Sequence, residues 1–123
     1  MTEQESTYSE ELYLIKDRTT IILSKAWKEV SEPEKEQLQK ILQAVRLSIA
    51  SVQIVHQPKL DLNDFHPQPA RMIYFGDPVP GLALYECIKT EGTVVLAPHL
   101  SILIGDAAGK QKLWVALKQL FSL

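Results

Sequence analysis

Short runs of β-branched and apolar residues alternate along this chain with segments that have helical periodicity, and this alternation is the strongest constraint on its fold. Four such runs predict β-strands: Thr19–Leu23, Val52–His56, Arg71–Phe75 and Thr93–Ala97. Strands that alternate with helices favour a mainly parallel sheet, with right-handed crossovers and helices packed on its faces. We therefore predict an α/β fold, a single three-layer domain of about four mainly parallel strands flanked by helices.

Longer segments between these runs have the periodicity of amphipathic helices. Ser31 and Glu34 form the S-x-x-E pattern of a capping box, and apolar residues then recur every three or four positions. A second helix is predicted to begin near Asp106. Its apolar residues share one face and are expected to bury against the sheet: Leu113, Trp114, Leu117, Leu120 and Phe121. A shorter helix is predicted over Pro80–Lys89, which contains several apolar residues.

The size and composition of the chain fit one globular domain. With 123 residues, of which 46% are hydrophobic and 23% charged, the chain can bury a core without metal ions or disulfide bonds. Residues 1–18 are predicted to form an N-terminal arm or short helix, and residues 19–123 the domain itself. The single cysteine, Cys87, cannot form an internal disulfide, which favours a reducing compartment.

Neither a signal peptide nor a membrane span is expected from the sequence. The start of the chain, Met1–Glu11, is polar and acidic, and the longest apolar run, Val94–Ile104, is interrupted and too short to span a bilayer. The formal net charge of -2 does not provide the basic field that unaided binding to nucleic acid requires. These features predict a cytoplasmic protein that binds neither membranes nor nucleic acid directly.

The motifs of common enzyme and cofactor sites are absent from the sequence. The segment Gly105–Lys110 lacks both a glycine and the Ser or Thr that a phosphate-binding loop needs. His56, His66 and His99 do not have the close spacing of metal ligands, and no G-x-S-x-G nucleophile motif occurs. We therefore predict no catalytic residue, no metal site and no cofactor.

Two loops that follow predicted strands are a candidate ligand site. The carboxyl ends of parallel strands meet at one edge of a sheet, which is where open α/β sheets bind ligands. The residues of these two loops that could contact a ligand are Gly76, Asp77, Pro78, His99 and Ser101. This pattern resembles the uracil-DNA glycosylases, in which a Gly-Asp-Pro type loop and a His-containing loop hold the base and sugar of a flipped nucleotide. The alternative is that both loops are ordinary strand ends.

The most specific pattern lies in the last part of the chain. A strand exits through Ala97–Leu100, an acidic loop passes through Asp106, and a helix contains Leu113, Trp114 and Leu117. Earlier segments add a strand, a helix end and a strand with its turn: Thr20–Leu23, Ile41–Val45 and Val52–Leu60. Taken together, the run from Thr19 to Phe121 resembles the psi subunit family of bacterial DNA polymerase III.

The resemblance implies a reduced relative of the uracil-DNA glycosylase fold that has no enzymatic activity. It further implies a protein-interaction subunit in DNA replication that bridges the clamp loader and other replication proteins. The implied partners are clamp-loader ATPase subunits and a chi-like subunit, and nucleic acid is reached only indirectly. Two alternatives stay open. One is a degenerate or minimal glycosylase-like domain that binds a nucleobase or nucleotide at the loops of Asp77 and His99, and the other is a homo-oligomeric α/β protein of unrelated role.

Apolar groups outside the main predicted elements are candidate partner contacts. They are Tyr8, Leu12 and Tyr13 in the arm and Trp27 in the loop after the first strand. Aromatic residues are enriched among the residues that dominate binding at interfaces. In the psi family a flexible N-terminal peptide with aromatic and apolar anchors binds the clamp-loader ATPase subunits; the arm of this sequence departs from the family in being short and acidic, with Tyr8, Leu12 and Tyr13 as its possible anchors. The alternative is that the apolar residues of the arm cover one face of the domain's own sheet.

Overall fold

A five-stranded sheet organises the protein in the computed structural model, which describes residues 19–65 and 69–121. In chain order the strands are β1 (Thr20–Leu23), β2 (Gln53–His56), β3 (Arg71–Phe75), β4 (Cys87–Lys89) and β5 (Thr93–Ala97). Their spatial order is β2-β1-β3-β5-β4. Every neighbouring pair is parallel except β4 and β5, which are antiparallel. The predicted mainly parallel α/β architecture is therefore confirmed.

Three α-helices accompany the sheet in the described residues: α1 (Glu32–Ala44), α2 (Leu100–Ile104) and α3 (Ala107–Leu120). The capping box at the start of α1 is formed, since the Glu34 amide donates to Ser31 Oγ and the Ser31 amide donates to the Glu34 carboxylate. Asp106 caps α3 by accepting from the Gly109 amide at 2.9 Å. Both predicted helix starts are confirmed, whereas α2 forms where the sequence predicted only a loop.

Single turns of 3-10 helix occupy part of the connections, at Trp27–Glu29, Ile49–Ser51 and Leu62–Asp64. Among the residues that the structure describes, no helix has the length and apolar character needed to traverse a lipid bilayer.

The central strands β1, β3 and β5 are buried on both faces, and each face has a different cover. Residues alternate between the faces along a strand, so that Ile21 and Leu23 point to one side and Ile22 to the other. The first side packs against all three helices. The second side packs against side chains from loops and β4: Leu60, Leu62, Phe65, Val79, Leu82, Leu84 and Ile88. In the described part, the third layer of the predicted three-layer domain therefore consists of loop segments and not of helices.

The segment predicted as a short helix over Pro80–Lys89 forms a turn and the strand β4 instead. Gly81 and Tyr85 have φ values of +84° and +62°, which are incompatible with a right-handed α-helix. Cys87 and Lys89 then pair with β5 across a short hairpin. Backbone geometry therefore overrides the apolar spacing, and the sheet gains a fifth, antiparallel edge strand.

Candidate functional site

The four parallel strands all end at one edge of the sheet, the carboxyl edge, and a polar residue lies at or just after each end. These residues are Ser24, His56, Asp77 and His99. Backbone hydrogen bonds continue past the strands, from the Ser24 amide to the Phe75 carbonyl and from the Gly76 amide to the Ala97 carbonyl, each at 3.1 Å. The first residue of each of these two loops is thus held by the same ladder that forms the sheet.

His99 connects Ser24 to Asp77 through its two ring nitrogens. Nε2 lies 2.7 Å from Asp77 Oδ1, and Nδ1 lies 3.2 Å from Ser24 Oγ. An ionised carboxylate only accepts hydrogen bonds, so in the neutral ring Nε2 holds the proton and Nδ1 accepts from the Ser24 hydroxyl. The order Ser-His-Asp is that of a hydrolytic triad, with the usual roles of the two nitrogens exchanged.

The surroundings of this triad leave little space for a substrate. The cavity beside Ser24 and His99 has a volume of about 10 Å³, enough for at most one water molecule. Pockets for small molecules typically have volumes of roughly 300–1,000 Å³. The Asp77 side chain is 81% exposed, so its charge acts through water and not in the water-excluded setting that strengthens catalytic electrostatics. The main effect of these contacts is to hold three loops together.

Gly76 permits the close approach of these loops. A Cβ on Gly76 would lie 2.5 Å from Tyr74 Oη and 2.8 Å from Ser24 Cβ, so no larger residue fits without movement. Burial raises the pKa of the Tyr74 hydroxyl, and the negative charge of Asp77 raises it further. Tyr74 therefore keeps its proton, and the side chain that packs against Gly76 is neutral.

An ion pair between partly exposed Lys25 and buried Glu34 fixes the first loop to α1. Lys25 Nζ lies 2.9 and 3.1 Å from the two carboxylate oxygens of Glu34. Burial raises the pKa of the Glu34 carboxyl, but hydrogen bonds from Lys25 and Ser31 outweigh it, so that the pKa lies below its ordinary value. The capping box of α1 and the loop after β1 thus share one carboxylate.

The structure divides the five candidate ligand residues. It brings Asp77 and His99 together and buries Gly76 behind them, while Pro78 and Ser101 are exposed outside this hydrogen-bonded group. Sequence reasoning missed Ser24. Its position directly after the first predicted strand, at the same sheet edge, was the signal that could have identified it.

The candidate partner contacts are described only in part. Tyr8, Leu12 and Tyr13 lie outside the described residues. Trp27 is half-buried against the core on the helix side of the sheet, and Lys35 Nζ lies 5.1 Å from the centroid of its ring. Part of the indole is therefore engaged within the domain, and the rest remains accessible.

An open groove between α1 and α3 is a second candidate site, with a volume of about 290 Å³. It is lined by Gln37, Lys40, Ile41 and Ala44 from α1 and by Lys110, Leu113, Trp114 and Leu117 from α3. Leu117 is buried as predicted, but Trp114 is only half-buried and forms part of the groove wall. The sequence prediction that Trp114 belongs to the core is therefore wrong in part, because the helix turns one side of the indole toward the groove.

Comparison with known proteins gives no match to this chain, whether to a family model, a curated protein or a solved structure. Within residues 19–65 and 69–121, no group of three or more His, Cys, Asp or Glu side chains is arranged to hold a metal ion.

Proposed function

We propose that this protein is a non-catalytic interaction subunit, similar in role to the psi subunit of DNA polymerase III, that bridges a clamp loader and other replication proteins. The observation that supports this best is the closed carboxyl edge, where Ser24, His99 and Asp77 bond to one another and leave a cavity of about 10 Å³. An α/β enzyme requires an open crevice at this edge to admit its substrate.

The order of elements after β5 also supports the psi-like role. The strand leaves through Pro98 and His99, Asp106 caps α3, and α3 presents Leu113 to the core with Trp114 beside it. These are the strand and the Leu-Trp helix on which the resemblance is based, with α2 in most of the predicted loop between them. With it we propose that the fold is a reduced relative of the uracil-DNA glycosylase fold, in which the two ligand loops have become structural.

Affinity capture of the tagged full chain from its native cells, followed by mass spectrometry, tests the proposal. We expect clamp-loader ATPase subunits and a chi-like subunit in the captured material. Trp27→Ala is the informative variant, because Trp27 is the candidate contact in the described part, and Lys28→Ala on the same exposed turn is its matched control. Capture that yields no replication protein from the unaltered chain contradicts the proposal.

A nucleobase-binding site at the loops of Asp77 and His99 is the second candidate, because the neighbouring parallel strands β3 and β5 bring both side chains to the carboxyl edge. Uracil, and a uracil-containing single-stranded oligonucleotide, can be titrated against the full chain while the His99 ring signals are followed by NMR. The psi-like proposal expects neither binding nor release of uracil. Saturable binding that disappears in His99→Ala would place the glycosylase-like alternative first.

A further inference from the structure

The groove between α1 and α3 combines an apolar floor with a basic rim. Ile41, Leu113 and Leu117, each at most 9% exposed, form the floor, and half-buried Trp114 forms a wall with accessible ring surface. The charged residues that line the groove are Lys40 and Lys110, and no Asp or Glu lines it. Such a surface favours an occupant that is both apolar and acidic.

The two rim lysines have no carboxylate partner among the described residues. The ion pairs within residues 19–65 and 69–121 involve Lys25, Lys35 and His99, and neither Lys40 nor Lys110. Positive charge is therefore available on both sides of the groove, where it would attract an acidic segment.

The sequence of residues 1–18 has the matching properties. This segment contains five carboxylate side chains and two basic ones. Tyr8, Leu12 and Ile15 recur at the four- and three-residue spacing of a single helix face, and Glu10 and Glu11 fall between them. The segment thus supplies an apolar stripe with acidic flanks.

The direction of the two groove helices places one end of the groove near the entry to β1. α1 connects β1 to its parallel neighbour β2, so it must run back across the sheet, and Ala44 at its end lies toward the amino edge where Thr19 enters β1. The end of α3 lies at the same edge, since the guanidinium of Arg71, the first residue of β3, is 5.4 Å from the Phe121 ring.

The length of residues 8–15 also matches the length of the groove. The lining of α1 extends from Gln37 to Ala44, and residues 8–15 would cover the same number of positions, about 12 Å as a helix. Residues 16–18 form a linker that can span up to roughly 10 Å between this helix and Thr19. The opposite face of the sheet already has a cover of described side chains. The groove is thus an open surface with one end toward the start of β1.

We infer that residues 8–15 bind in this groove as an amphipathic helix, with Ile15 toward Ala44, Tyr8 toward Gln37, and the acidic side chains toward Lys40 and Lys110. The arm therefore occupies a defined site on its own domain. This inference goes beyond the proposed function, since it gives Tyr8 and Leu12 an intramolecular site and leaves Trp27 as the candidate partner contact.

Cysteine cross-linking in the full chain tests the inference and its register. In a Cys87→Ser background, Tyr8→Cys is combined with either Gln37→Cys or Ala44→Cys, and a short bismaleimide is added. A docked arm links position 8 to position 37 at least about tenfold faster than to position 44, because position 44 lies about two helical turns, roughly 10 Å, farther along the groove. A free arm links position 8 to position 44 at least as readily, because position 44 is nearer the tether.

Equal rates for the two pairs, or links that form only between separate chains, would overturn the inference. The second result would mean that the groove accepts another copy's arm and not its own. Thermal unfolding of each double variant, compared with that of Cys87→Ser alone, verifies that both proteins are folded before their cross-linking rates are compared.

A proteolysis experiment provides a readout that needs no introduced cysteine. Ala44→Glu adds a negative charge to the groove, and Gln43→Glu adds the same charge to the neighbouring position outside the lining; both native residues are exposed. We expect chymotrypsin to cleave after Tyr13 about tenfold faster in Ala44→Glu, because cleavage of a locally opening segment follows the population of its open form. Equal cleavage rates in the two variants would contradict a docked arm.

Discussion

The carboxyl edge of the sheet and the groove between α1 and α3 use their side chains in opposite ways. At the edge, polar residues that resemble catalytic or ligand-binding groups bond to one another and close the surface. In the groove, residues with the periodicity of a core line an open volume of about 290 Å³. At the edge, residue types that suggested chemistry make internal contacts instead. In the groove, Trp114 keeps accessible surface although the sequence predicted it to be core, whereas Leu113 and Leu117 are buried as predicted.

The largest expected effect distinguishes the core side of α3 from its groove side. Leu117 is 1% exposed, and Leu117→Ala should lower the free energy of unfolding by about 2–5 kcal/mol. Trp114→Ala should cost less than the roughly 3–5 kcal/mol typical of a buried aromatic, because the indole is only half-buried. Urea unfolding of both variants measures the difference. A larger loss for Trp114→Ala would show that the groove wall contributes to the core.

A smaller effect is expected at the carboxyl edge. Ser24→Ala and His99→Ala should each destabilise the fold by about 0.5–1.5 kcal/mol, the usual net value of a hydrogen bond. The double variant should cost less than the sum of the two, since both changes remove the same Ser24–His99 contact. Thermal or urea unfolding of the two single variants and the double variant completes the cycle. Strict additivity would mean that the contact does not stabilise the edge.

The smallest effect is a pH dependence centred on Glu34. Its pKa is lowered in the folded state, so its contribution to stability is present above the ordinary value of 4.5 and is lost as the pH falls through the lower folded pKa. Glu34→Gln should therefore be less stable than the unaltered protein at neutral pH, and the difference should shrink as the pH drops below about 4.5. Melting curves over this pH range test the sign. A stability difference between the two proteins that widens on acidification would contradict the lowered pKa of Glu34.

Much of the fold could be predicted because its signals are local. The Ser31–Glu34 capping box marked the start of α1, and continuous apolar runs marked the strands. The strand β4 could not be predicted, since it has three residues and its pairing depends on the backbone turn at Tyr85. The local apolar spacing favoured a helix there. The strand forms instead because its residues pair with β5 in a hairpin.

The candidate site was less accessible to sequence reasoning. The meeting of Asp77 and His99 followed from the topology, because both follow parallel strands that are neighbours in the sheet. Ser24 belongs to no motif, so only its place after β1 pointed to it. Helical periodicity puts Leu113 and Trp114 near one face of α3, but it does not specify how far α1 lies from that face, and this separation creates the groove.

The position of β3 in the middle of the sheet has a consequence for the order of folding. The first strand made, β1, pairs with β3, and β3 in turn pairs with β5, so the sheet centre assembles from segments that are far apart in sequence. The hydrogen bond between Ser24 and His99 joins residues separated by 75 positions. Contacts of such long range slow folding, because the entropy of closing a large loop is lost before the contact forms. During synthesis, β1 can pair early with β2, whereas its pairing with β3 and the Ser24–His99 contact can form only after those later segments have left the ribosome.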